Sequence, residues 1–249
     1  MKVTIITIVL NNVDTIISCM DSVMGQTYKN IEYIVIDGGS TDGTIDILRK
    51  YNGNISQWIS EPDNGVYYAM NKGVKMATGD IIGFLNADDY YADNGVIQHI
   101  VDEINLNKVD SCYGDVVYVK RNDLMKVTRY WKSISCNVDN FKKGWFPPHP
   151  TFFVKKNIYD RLGVFNTDYK FSSDVELMIR FLCKHSVSTC YIPDVLIKMR
   201  DSGKSNKSLI NIARSVWECY LAMKNNNLNV TPLYLLSTLL FRFKQIFVK

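Results

Sequence analysis

The chain has 249 residues, 47% of them hydrophobic and 22% charged, with a formal net charge of +4. That apolar share supports a sizeable core and excludes a mainly disordered chain, and the mild charge gives no footprint for nucleic acid. Six cysteines (Cys19, Cys112, Cys136, Cys183, Cys190, Cys219) include no CxxC pair, which argues against zinc or dithiol redox chemistry and fits free thiols in a reducing compartment.

Strand-like and helix-like patterns alternate from the start. Residues 1–10 carry one lysine ahead of an Ile-, Val- and Thr-rich run. The run has no small-residue cleavage site and breaks at Asn11-Asn12, so residues 2–10 read as a buried strand rather than a leader. Residues 14–25 read as a helix with Ile16, Ile17, Met20, Val23 and Met24 on its apolar face. A strand over 31–37 and a Gly-rich turn over 38–43 follow. Then come a helix over 44–51, a strand over 56–60, a helix over 67–77 and a strand over 81–85. This alternation predicts βαβ units and a mainly parallel α/β sheet flanked by helices.

The rhythm changes after Asp89. A helix is expected over 96–106 and two strands over 111–120 and 125–132, around the turn Arg121-Asn122-Asp123. The loop Phe146-Pro147-Pro148-His149-Pro150 is stiffened by its prolines. A helix over 175–184, a strand over 188–199 interrupted by Pro193, and a helix over 208–225 complete the pass. The α/β domain is expected to end near residue 205, with a helical tail over 206–249. Residues 232–249 are apolar, with Arg242, Lys244 and Lys249 near the end. No segment reaches the about 20 uninterrupted apolar residues of a span. The tail suits a helix on an anionic bilayer surface, or else a last helix packed on the domain or an oligomer contact.

The run Asp80-Ile81-Ile82-Gly83-Phe84-Leu85 stops just short of the adjacent carboxylates Asp88 and Asp89. Ligands of open α/β sheets bind beyond the carboxyl ends of strands. Neighbouring carboxylates repel, and a divalent cation relieves that repulsion. Hard oxygen ligands suit Mg²⁺ or Mn²⁺, commonly shared between one or two carboxylates and substrate phosphates. The pattern points to a metal-bridged nucleoside diphosphate. A solvated turn with an aspartate cap fits the same residues.

Four motifs occur in order: Val35-Ile36-Asp37-Gly38-Gly39-Ser40-Thr41-Asp42-Gly43-Thr44; Glu61-Pro62-Asp63-Asn64-Gly65; Asn86-Ala87-Asp88-Asp89; and Ser173-Asp174-Val175-Glu176-Leu177 with Arg180. Together they resemble glycosyltransferase family 2 over residues 2 to about 200. The resemblance implies a GT-A fold, with a Rossmann-like donor-nucleotide half over 1–90 and an acceptor half over 91–205. It implies inverting transfer from a UDP-sugar or related donor with Mn²⁺ or Mg²⁺, in the style of bacterial capsule, O-antigen or exopolysaccharide enzymes. Thr7, Val9, Asp37, Gly39, Asn71, Lys72, Asn86, Asp88 and Arg200 are then expected at the donor, with Arg200 and Lys204 on a loop closing over the diphosphate. Asp89 foremost, with Asp88, would hold the metal. Asp174 would be the general base, with Asp168 as the alternative. His149, Ser173 and Trp145 are expected on the acceptor side, and Trp131, Phe146 and Tyr169 near a sugar. The acceptor is a glycan or a polyprenyl-diphosphate-linked glycan, which places the enzyme peripherally at the cytoplasmic membrane face.

The chain departs from the family pattern at three points. Val9-Leu10-Asn11 stands where Thr-Tyr-Asn is usual, Gly38 where a second aspartate is common, and Asn86 where aspartate is frequent. The same residues also have structural readings. Asp37 can close an Asx turn, Ser173 and Asp174 can cap a helix, Glu176 can pair with Arg180 four residues on, and aromatics can pack in the core. A dehydrogenase would want GxGxxG after the first strand, which Asn11-Asn12-Val13-Asp14 does not supply. Another nucleotide-dependent transferase and a non-catalytic glycan or membrane scaffold remain the rival classes.

Overall fold

Among the described residues nine strands make one sheet, in the order β3 (Gln57–Ser60), β2 (Ile31–Asp37), β1 (Val3–Val9), β4 (Ile81–Phe84), β8 (Phe153–Lys155), β6 (Ser111–Lys120), β9 (Thr189–Asp201) and β5 (Tyr90–Tyr91), with β7 (Asp123–Trp131) paired to β6. The computed structural model describes residues 1–201 and 209–231, together with Tyr234, Leu235 and Thr238. β1 (Val3–Val9), β2 (Ile31–Asp37), β3 (Gln57–Ser60) and β4 (Ile81–Phe84) are parallel, joined through α1 (Ile16–Met24), α2 (Thr44–Lys50) and α3 (Val66–Met76). This is the expected βαβ half, with boundaries within two residues of the sequence reading.

Side chains alternate along these strands, so one sheet feeds two cores. Ile6, Ile34, Ile82 and Phe84 pack toward α3 and the later helices, whereas Ile5, Val35, Ile81 and Leu85 pack toward α1 and α4 (Val96–Asn107). Gly83 is needed where β4 meets the ring of Phe153, since a Cβ there would lie 2.1 Å from the ring.

The second half is antiparallel and mixed. β8 (Phe153–Lys155) pairs antiparallel with β4 and with β6 (Ser111–Lys120); β6 also pairs with β7 (Asp123–Trp131) and, in parallel, with β9 (Thr189–Asp201). The two-residue β5 (Tyr90–Tyr91), β8, α5 (Val138–Lys142) and α6 (Lys156–Leu162) have no counterpart in the sequence reading. They are too short to show a period. Pro193 does not interrupt β9. It is exposed and sits where the β6–β9 register shifts between the Tyr113 and Asp115 pairings, a position that tolerates a missing N–H.

The helix expected over 175–184 begins earlier. α7 (Ser173–Met178) continues as a π-helical stretch, Ile179–Lys184. α8 (Leu209–Asn225) packs into the first core through Cys219, Tyr220, Ala222 and Met223. Further on, Tyr234 belongs to the same core and Thr238 is buried. Leu235 packs against that core too; the other residues of 232–249, like Lys204, lie outside the described residues.

Candidate active site

A cleft of about 440 Å³ opens beyond the carboxyl end of β4 and brings Tyr67, Asn86, His149 and Asp174 together. Each arrives from a different element. Tyr67 comes from the first turn of α3, Asn86 from the turn after β4, His149 from the proline-rich loop and Asp174 from the first turn of α7.

Asp174 is half-buried, and the Tyr67 hydroxyl donates to its Oδ1 at 2.9 Å. Burial and then the Asp174 charge push the Tyr67 phenol well above its ordinary value, so it stays a donor. His149 is 8% exposed and packed between Phe84 and Phe165, with ring centroids at 5.5 and 5.6 Å. Among the described residues its Nε2 has no hydrogen-bond partner. Burial holds its pKa below the usual histidine value against the opposing pull of Asp174, so the ring is neutral at pH 7.

The Asn86–Asp89 turn closes with the Asp89 N–H donating to the Asn86 carbonyl at 3.0 Å. Asp89 is 1% exposed and accepts from the Asn86 amide at 2.9 Å. Burial, then the charge of Asp88, pushes its carboxyl up to about 8, against the pull of Asn86 and Arg200. Asp88 is half-buried, so it is the more accessible carboxylate of the pair, where the sequence reading ranked Asp89 first. No group of three His, Cys, Asp or Glu forms a complete metal cage among the described residues. The oxygen donors of this turn, with their poorly compensated charge, fit a hard cation whose remaining ligands come from substrate phosphates.

Several residues expected at the donor or the acceptor also make structural contacts. Asp37 is fully buried, and both its oxygens are taken. Oδ2 accepts from Gly39 N–H, Ser40 N–H and Ser60 Oγ at 3.0, 2.9 and 2.6 Å, and Oδ1 accepts from Ser40 Oγ. It shapes the turn after β2, where Gly39 takes φ +85, a backbone that favours glycine. Thr7 is buried, with its hydroxyl accepting from Tyr33 and lying beside Cys19. Val9 is buried too, and its carbonyl accepts from Gly38 N–H. Asn71 makes a two-way bond to the Phe165 backbone at 2.8 and 2.9 Å. Ser173 Oγ donates to the Asn166 carbonyl, and Trp145 packs on Tyr113 and Phe141. Lys72 Nζ lies 2.6 Å from both Glu61 and Asp63, and these bonds hold its pKa above the ordinary value.

Arg200 corrects the expected mobile clamp. It is the penultimate residue of β9 and is 7% exposed; its guanidinium donates to the Asp88 carbonyl and, at 2.7 Å, to Ser18 Oγ. It braces the carboxylate turn against α1. Glu176 and Arg180 pair at 3.0 Å as their spacing suggested. Ser18, Ser60 and Glu218 are site-shaping residues that the sequence did not flag. Each acts across at least 23 residues of chain, so no local pattern marks it.

The model of glycosyl transferase family 2 matches residues 4–172. A PGL/p-HBAD biosynthesis glycosyltransferase of Mycobacterium bovis is 28% identical over 208 residues, covering 81% of this chain and 78% of that protein. An uncharacterized glycosyltransferase of Rickettsia typhi is 30% identical over 234 residues, covering 88% and 71%. S. aureus TarS 1–349 in complex with UDP matches with a TM-score of 0.67 at 16% identity, over 98% of this chain and 72% of that one. Against a longer TarS chain the match covers 44% of that chain's length. A mannosyltransferase of Pyrobaculum calidifontis in complex with GDP-Man and Mn²⁺ matches with a TM-score of 0.64 at 20% identity, over 95% and 68%. At these identities the solved structures speak for the fold, which is GT-A. With the family model spanning well over half of its length, the chain belongs to glycosyl transferase family 2.

Proposed function

We propose that this protein is an inverting glycosyltransferase that moves a sugar from a nucleoside diphosphate donor, a UDP-sugar in the first instance, to a hydroxyl of a glycan or polyprenyl-diphosphate-linked acceptor in surface polysaccharide assembly. The observation that carries the reading is Asp174, held by Tyr67 in the same cleft as the Asn86 turn. TarS solved with UDP and with UDP-GlcNAc supports the choice of donor, and the GDP-Man and Mn²⁺ complex supports a divalent ion.

Inversion needs one displacement, with the acceptor hydroxyl opposite the leaving diphosphate. Asp174 accepts that hydroxyl's proton, and Tyr67 keeps the carboxylate turned toward it. His149 offers an uncharged hydrogen-bonding nitrogen to a sugar hydroxyl on the same wall. Asp88, with Asp89 and the Asn86 oxygen, would hold Mn²⁺ or Mg²⁺, whose role when bound is Lewis-acid stabilisation of the leaving diphosphate. Residues 1–90 serve as the donor half and 91–205 as the acceptor half. Among the described residues no helix is long and apolar enough to cross a membrane. A peripheral position at the cytoplasmic membrane face is proposed from the basic, apolar sequence after residue 238.

A panel of UDP-, GDP- and dTDP-sugars with and without Mn²⁺, read by thermal shift and by nucleotide release, tests the reading. A donor at about a hundred times its Kd adds about 2.7 kcal/mol, a rise of roughly 5–10 °C for a domain of this size. No rise and no release with any donor would contradict it and favour a scaffold role.

A further inference from the structure

We propose that Glu218, on a helix beyond the family match, is a positioning residue that sets the start of α7 and with it the carboxylate of Asp174. The proposal rests on the reading of Asp174 as the base.

Three consecutive backbone N–H groups converge on this one side chain. Lys170 donates to Oε1 at 3.0 Å, and Phe171 and Ser172 donate to Oε2 at 2.8 and 2.9 Å. Ser172 is the N-cap residue of α7, yet its hydroxyl makes no cap bond. It turns to α8 instead, reaching the Ser215 hydroxyl at 2.8 Å and the Ser215 carbonyl at 3.1 Å. The first turn of α7 is therefore fixed from α8 rather than by a local cap. Asp174 follows two residues after this anchor.

The clamp has a second jaw. Asn225, the last residue of α8, donates to the Tyr169 hydroxyl at 2.9 Å, and Asn226 just beyond it donates to Glu176 at 3.2 Å. α8 thus grips the chain on both sides of Asp174, while Tyr67 holds the carboxylate itself. Misplacing a reacting group by about 1 Å can cost about a hundredfold in rate. The family match ends at residue 172, so Asp174 and the helix that holds it in place both lie outside the matched segment.

The test uses the full chain with the nucleotide sugar that turns over in the panel. Glu218→Gln is nearly isosteric but has one acceptor oxygen for three donors, and Glu218→Ala removes the acceptor. The expected order is a kcat about tenfold lower for Gln and about a hundredfold lower for Ala, with donor KM and UDP affinity within threefold of the parent. A kcat within twofold of the parent in both variants overturns the proposal. So does UDP affinity falling in step with kcat, which marks a general loss of fold. Should the alanine variant not fold, the glutamine variant decides alone. Amide exchange separates the two ideas if the parent turns over no donor. The transferase reading then fails, and exchange at Phe171 and Ser172 that stays at the parent rate in Glu218→Gln overturns the clamp as well.

Discussion

Tyr67 and Asp174 come from segments 107 residues apart and share one hydrogen bond. A hydrogen bond to a charged group contributes about 1.5–3 kcal/mol. Tyr67→Phe therefore removes an orienting contact without emptying the space the ring fills. We expect turnover to fall about tenfold with UDP affinity unchanged, measured by steady-state kinetics and calorimetry; equal losses in both would point to a packing role instead. The carboxylate turn is a residue-scale case of partial legibility. The sequence placed Asp88 and Asp89 at the tip of β4, and the structure keeps them there. The sequence reading put Asp89 ahead of Asp88, but their accessibility follows from burial, which depends on Asn86, Arg200 and the packing around β5 and leaves Asp88 the more exposed. Asp37 was legible as a turn former, and the donors around its oxygens show that role; its contact with the donor nucleotide remains a proposal.

At the scale of elements, the parallel half was readable because long apolar strands alternate with amphipathic helices between glycine-rich turns. Boundaries there differ by no more than two residues. The antiparallel half was less so. β5 and β8 have only 2 and 3 residues, and their pairing is set by strands far away in sequence. Gly83 is where two halves of the sheet touch, through β4 and Phe153 of β8. Gly83→Ala should destabilise by about 1–3 kcal/mol through overpacking, a loss of roughly 3–10 °C in Tm. A shorter side chain in Gly83→Ala/Phe153→Leu should recover part of it. An unchanged Tm in the single variant would show that β4 and β8 separate more easily than their packing implies. α8 teaches the opposite lesson about length. Its periodicity was plain, but its job was not, because Glu218 looks like any solvent-facing helix glutamate until residues 170–172 are seen against it.

For the whole molecule, one buried carboxylate ties three parts of the parallel half together. Glu32 on β2 accepts from Lys2 Nζ at 2.8 Å, Thr4 Oγ1 at 2.6 Å and both the N–H and hydroxyl of Thr78, at 2.7 and 2.6 Å. Burial alone would raise its pKa, but these bonds outweigh burial and hold it at about 2. The unfolded value is about 4.3. A lowered folded value means that the stabilisation is fully present above the unfolded pKa and is lost as pH falls from about 4.3 toward 2. Melting temperature against pH should show that acid limb, and Glu32→Gln should flatten it; an identical limb in the variant would assign acid sensitivity elsewhere. This tie holds the sheet whose strand ends build the cleft, so fold stability and site geometry share their supports. The most direct trial of the central claim is the Asp174→Asn variant, assayed with Mn²⁺ and the donor that turns over. UDP affinity is expected within about twofold of the parent and turnover reduced by about 10²–10⁴, the range for loss of a general base; turnover equal to the parent's would rule out Asp174 as the base.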